Sequence, residues 1–167
     1  QDQAVDQMLR FIDEFPKHEK AAIALSNAAF LTERAERTEK AVTLYERLIK
    51  TYKKSPQATE AHFVLGALYE SQTRFDKAAS YFEKMAAFPD IKEMKKIKDS
   101  LYNAGAIRMA LQQYTQAIKI FQSFIKKFPK DKVTSDLYFQ IAKAYETMKK
   151  WKKARKTYKK YIKTYKK

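Results

Sequence analysis

Apolar residues recur along this 167-residue chain at spacings of three and four, with polar residues between them. That period predicts amphipathic helices throughout. Residues 98–131 show the unit. Leu101, Tyr102, Gly105, Ala106 and Met109 mark a first helix, and Tyr114, Ala117, Ile118, Phe121 and Phe124/Ile125 mark a second. The second stops at Phe128-Pro129, since proline cannot continue a helix. Gly105 and Ala117 stand mid-helix. Glycine there costs about 1 kcal/mol against alanine, so the pattern predicts a close helix approach at these small residues.

The unit repeats. The small residue of the second helix recurs as Ala4, Ala41, Ala78, Ala117 and Ala154, in steps of 37, 37, 39 and 37 residues. Four positions on lie Met8, Tyr45, Phe82, Phe121 and Tyr158, then Phe11, Leu48, Met85, Phe124 and Tyr161. Closing aromatics follow at Phe15, Tyr52, Phe88, Phe128 and Tyr165. A repeat of this length built from helix pairs predicts an all-α solenoid. A leading half repeat covers 1–16, and full repeats cover 19–54, 55–90, 91–131 and 132–167, as one array. Helices are expected near 20–35, 38–53, 133–148 and 151–166. Thr38 and either Thr134 or Ser135 are expected as N-caps, and Ser55-Pro56 as a cap followed by proline at the first helical position. Arg74-Phe75-Asp76 is expected to turn the third unit. Ile91, Met94, Ile97 and Leu101 predict a first helix lengthened by a turn or two.

Leu65, Gly66, Tyr69, Ala78 and Phe82, and again Gly105, Tyr114, Ala117, Phe121 and Pro129, follow in order the pattern of the tetratricopeptide repeat. The chain resembles that family over nearly its whole length, with a period a few residues longer than the family's unit of about 34. The resemblance implies a right-handed stack of antiparallel helix pairs and a non-enzymatic scaffold that holds a partner peptide or domain in a concave groove. It also implies the groove residues: Glu60, Phe63, Ala67 and Glu70 in the third unit, Asp99, Tyr102, Ala106 and Met109 in the fourth, and Asp136, Phe139, Lys143 and Glu146 in the fifth. The second unit differs, with Ile23, Ser26, Phe30 and Glu33. Three units thus set an acid and then an aromatic at matching places, which suits a ligand with apolar and basic side chains. The lysine and asparagine clamp with which some members hold a terminal carboxylate is absent. The long period and the closing Phe-Pro-Lys-Asp run resemble the family's bacterial envelope members, of the outer-membrane assembly, Tol–Pal-associated and motility-complex types. Periplasmic or outer-membrane residence is what that likeness implies. A cytoplasmic regulator of the same fold is the alternative.

Charge changes the picture toward the end of the chain. Residues 1–90 hold 13 Lys/Arg and 14 Asp/Glu, whereas residues 91–167 hold 22 and 5. Lys149, Lys152, Lys153, Lys156, Lys160 and Lys163 fall on one broad face, opposite Tyr158, Ile162 and Tyr165. This face is the candidate surface for an anionic partner such as lipid head groups, envelope polymers or nucleic acid. Nucleic acid ranks low, because the aromatics are committed to packing. The pattern opens on a second helix without its first and ends without a polar closing helix. A piece of a longer array is therefore expected, with aromatic surface on the last helix through which copies associate.

Candidate chemistry is sparse. Cysteine is absent, which excludes disulfides and thiolate catalysis. His18 falls in a loop and Glu19 follows it, but no second histidine stands four residues after His18, and His62 takes a bulky packing position. Gly66 and Gly105 lie within helices and form no phosphate loop. No enzyme activity, metal or cofactor is expected, and no apolar run reaches the roughly 20 residues of a membrane span.

Overall fold

A computed structural model describes residues 2–88 and 94–165. Those residues form nine α-helices: α1 Asp2–Glu14, α2 Ala21–Arg34, α3 Thr38–Thr51, α4 Pro56–Ser71, α5 Phe75–Ala87, α6 Met94–Ala110, α7 Tyr114–Lys127, α8 Thr134–Thr147 and α9 Trp151–Tyr165. The fold is all-α, with the helices in antiparallel pairs of the repeat-solenoid kind. The chain divides into two compact units, Gln1–Phe88 and Pro89–Lys167. In the first, α1 packs on α2, α2 on α3 and α4, α3 on α4, and α4 on α5. In the second, α6 packs on α7, α7 on α8, and α8 on α9.

The small second-helix residues sit where helices meet. Ala41, Ala78 and Ala117 have no exposed surface and Ala154 has 3 %. Phe82, Phe121, Leu48, Met85 and Phe124 are buried beside them, each worth roughly 1.5–3 kcal/mol of transfer free energy. Both glycines answer to a ring of the paired helix. A Cβ on Gly66 would come within 2.6 Å of Phe82, and one on Gly105 would come closer still to Phe121. In the same register the other two pairs carry Ala29 with Tyr45 and Ala142 with Tyr158. Their phenols reach polar partners instead: Tyr45 donates to Glu33 and Tyr158 to Glu146, each at 3.0 Å.

All four hairpins turn the same way, without glycine. Glu36, Thr73, Gln112 and Lys149 take φ of 59°, 58°, 59° and 55°. The next residue's N–H returns to a carbonyl five positions back, as in Arg37 to Thr32 and Arg74 to Tyr69. This left-handed helix stop usually carries glycine, and four such residues without it store roughly 1–2 kcal/mol each.

Several local expectations are corrected. The third-unit turn is Gln72-Thr73-Arg74, and Phe75 and Asp76 belong to α5. Thr38 is the first residue of α3 rather than its cap, and no side chain caps that end. Neither Thr134 nor Ser135 caps α8. Thr134 is buried and donates to the Phe128 carbonyl at 2.8 Å, while Asp131 accepts from the Val133 N–H. Ser55 does cap α4, accepting from the Ala58 N–H at 3.0 Å. α6 is lengthened as expected, burying Ile97 and Leu101, but Met94 is exposed and Ile91 lies outside the described residues. Phe15 stands past the end of α1, 54 % exposed.

Candidate functional site

The family-derived groove positions lie at helical spacings of three and four, so each first helix presents them as one stripe. On α4, Glu60, Ala67 and Glu70 are exposed. Phe63 is only half-buried, because its ring meets Phe82 edge-on at 5.7 Å. On α2, packed beside α4, Ile23 is 45 % and Phe30 51 % exposed, with Ser26 half-buried between them. On α6, Tyr102 is 39 % exposed, and Asp99, Ala106 and Met109 are half-buried. On α8, Asp136, Phe139 and Lys143 are exposed, and Phe139 meets Tyr158 edge-on at 5.8 Å. Glu33 and Glu146 close their stripes but are held by Tyr45 and Tyr158. Sequence reasoning set Ile23 and Phe30 aside as a departure from the acid-then-aromatic pattern. Their hydropathy at a solvent-facing register was the signal.

Burial also sets the electrostatics of the first unit. It raises the Tyr45 phenol far above its ordinary range, with the neighbouring Glu33 carboxylate adding to the effect. Glu46 on α3 accepts from the hydroxyls of Tyr69 at 2.7 Å and Tyr81 at 3.0 Å. Desolvation and then that carboxylate push Tyr69 up to about 12. His62 is buried against Tyr81 and Phe88, with Nδ1 2.8 Å from the Ala58 carbonyl oxygen, and desolvation lowers its pKa. It is a packing residue. His18 is in the loop after α1, its Nδ1 accepting from the Lys20 N–H.

The lysine face is divided. Lys152, Lys153, Lys156, Lys160 and Lys163 are exposed on α9, but Lys149 belongs to the preceding turn. Lys153 folds over the Tyr145 ring, 5.7 Å from its centre, and Lys160 over Tyr138 at 5.2 Å. Across the helix Tyr158, Tyr161 and Tyr165 are half-buried, while Ile162 is 50 % exposed. Among the described residues no group of three or more His, Cys, Asp or Glu is placed to hold a metal, and no helix is long and apolar enough to cross a membrane.

Antiparallel helix pairs with small residues at the crossings define a helical-repeat scaffold. Tetratricopeptide repeat models match residues 33–90, and 99–131 with 136–167. The chain belongs to the tetratricopeptide repeat family. No curated protein sequence matches it. Among solved structures, it is similar to the nearly identical TPR-like repeats of a putative kinesin light chain from Podosopora anserina, at 15 % identity and a TM-score of 0.59, over 99 % of this chain and 89 % of that one. It is also similar to MamA, at 17 % identity and a TM-score of 0.61, over 97 % and 81 % of the two chains. The 41-to-end form of MamA from Desulfovibrio magneticus RS-1 aligns at 18 % and 0.56, over 87 % and 76 %. Identities this low speak for the fold alone.

Proposed function

We propose that the chain is a non-enzymatic scaffold that holds a partner peptide or domain on the first-helix stripes. One observation carries the reading. Among the described residues, apart from Ile162 on α9, the large apolar side chains exposed inside helices rather than at their first residue or in a loop are Ile23, Phe30, Tyr102 and Phe139. All four occupy the groove register. A single exposed apolar residue means little, but a set confined to one register of the first helices is a partner surface. Glu60, Asp99 and Asp136 stand one helical turn before Phe63, Tyr102 and Phe139 and favour a ligand with basic as well as apolar side chains.

The test is affinity capture with the whole gene product, comparing the native chain with Tyr102→Ala and Phe139→Ala. Each variant should weaken partner binding by about 1–2 kcal/mol or more while staying folded at the temperature of the assay, as its thermal melt would show. An unchanged captured partner would sink the reading. Envelope residence, implied by the likeness to envelope members, is part of the proposal. Recovery of the whole gene product in the cytoplasm on fractionation would remove it.

A further inference from the structure

A cavity of about 680 Å³ opens in the second unit, where α7, α8 and α9 meet. Tyr138, Ile141 and Tyr145 form its α8 wall, on a different side of that helix from Asp136 and Phe139. Lys126 of α7 and Lys153, Lys156 and Lys160 of α9 line it as well. Among the described residues lining it there is no Asp or Glu. Four lysines and no carboxylate among its lining residues favour an anion over a cation in this partly apolar hollow.

The first unit shows what such a hollow holds. A constant offset of 76 residues sets Tyr145 on Tyr69, Lys153 on Lys77, Thr157 on Tyr81, Lys160 on Lys84 and Gln122 on Glu46. In the first unit Glu46 Oε1 accepts from both tyrosine hydroxyls, whose rings stack at 5.4 Å, and Lys77 lies 5.0 Å from the centre of the Tyr69 ring. The second unit keeps the tyrosine and the lysine over its ring. It replaces the carboxylate by the amide of Gln122, which lines the cavity, and the second ring by the smaller Thr157. The cradle is conserved between the units while its built-in carboxylate is not.

We propose that this cavity docks an acidic segment of a partner protein, which supplies the missing carboxylate. A Glu or Asp side chain accepts from the Tyr145 hydroxyl and from the Lys153 and Lys160 ammonium groups. An adjoining apolar residue rests on Ile125 and Ile141. Charge complementarity selects the occupant's sign, and the Glu46 arrangement selects a carboxylate. Lys153 and Lys160 bend back over tyrosine rings rather than projecting toward a lipid or nucleic-acid surface. The site is separate from the first-helix stripes and takes a ligand of opposite charge.

The full chain, titrated into a fluorescein-labelled, amidated peptide with a central leucine flanked by glutamates, should raise its anisotropy saturably. Tyr145→Phe, and Lys153→Gln with Lys160→Gln, should each weaken binding about tenfold or more. Gln122→Glu builds the missing carboxylate into the protein. It should abolish peptide binding while raising the thermal midpoint, so a loss of binding cannot be ascribed to unfolding. Tyr102→Ala should leave peptide binding unchanged, which keeps failure here apart from failure of the groove. Equal peptide affinity in the Gln122→Glu chain would overturn the proposal. So would binding of phosphatidylglycerol vesicles or single-stranded DNA with none of the peptide.

Discussion

The two units share one repeat and differ in what they do with charge. Gln1–Phe88 carries 13 Lys/Arg against 13 Asp/Glu, whereas Pro89–Lys167 carries 22 against 6, so the whole excess of +16 belongs to the second. The difference is also local. Glu46 in the first unit bridges two phenols, and Gln122 stands at its register in the second. The packing register leaves such positions free to change. Ala78 and Ala117, Phe82 and Phe121, and Gly66 and Gly105 are the same pairs in both units, since each is fixed by helix-to-helix contact. A repeat protein keeps the backbone by keeping those few residues and varies its partners through the rest.

The largest expected effect tests the part the units share. Gly66→Ala and Gly105→Ala each drive a methyl into a buried phenylalanine ring. Overpacking costs about 1–3 kcal/mol, against at most about 1 kcal/mol regained from helix propensity, so both variants should be less stable. The reverse changes, Ala29→Gly and Ala142→Gly, meet tyrosine repeats and should cost only about 0.5–1 kcal/mol. Equilibrium denaturation measures all four. Glycine variants as stable as the parent would mean that the glycine–phenylalanine pairing does not decide packing.

The residues that made the fold legible in the sequence are those set by contact. Five alanines in register, followed by aromatics, located the helix pairs, and a glycine in a helix interior correctly marked a close approach. The turns were less legible. Glu36, Thr73, Gln112 and Lys149 adopt the left-handed conformation without glycine or asparagine, so no local signal marked them and Arg74-Phe75-Asp76 was misread as a turn. Thr38 and Thr134 look like caps because hydroxyls often are, but Thr134 is drawn inward by the Phe128 carbonyl. The stripe positions came with the family, whereas their exposure depends on neighbours. Phe63 is covered by Phe82 while Phe139 stays 48 % exposed beside Tyr158. The carboxylate missing from the α7–α9 cavity shows only in the comparison of Gln122 with Glu46.

A middle-sized effect sharpens the contrast between the units. Glu46→Gln gives the first unit the second unit's residue. Tyr69 and Tyr81 keep an acceptor but lose its charge, a change of about 1 kcal/mol. Tyr69 should then titrate lower than its present value of about 12, since part of that elevation comes from the Glu46 carboxylate. In the parent, a phenol held protonated in the fold loses stability to the unfolded chain as pH rises from the ordinary tyrosine value near 10 toward about 12. The variant should lose less over that range. Tyrosinate absorbance during alkaline titration, followed alongside denaturant melts, reads both effects, and an unchanged titration would detach Glu46 from the phenols.

The smallest effect separates the units by pH. His62 fills a packing position that Leu101 fills in the second unit and Tyr138 in its last pair. Burial lowers its pKa, so the folded state resists protonation more than the unfolded chain does. Above the ordinary histidine value of about 6.5 neither state binds the proton, and His62 adds no pH dependence. Below it the unfolded chain takes up the proton first, and stability falls until the pH reaches the lowered folded-state value, after which it levels. His62→Leu removes this acid-side loss while supplying a side chain that the register accepts at 101. Its stability should match or exceed the parent's near neutrality, and the gap should widen as pH falls below about 6.5. Denaturant midpoints from neutral to mildly acidic pH read that gap. If the gap stays constant with pH, the His62 ring titrates as it would in water, and its burial against Tyr81 and Phe88 does not govern the acid side of the first unit's stability.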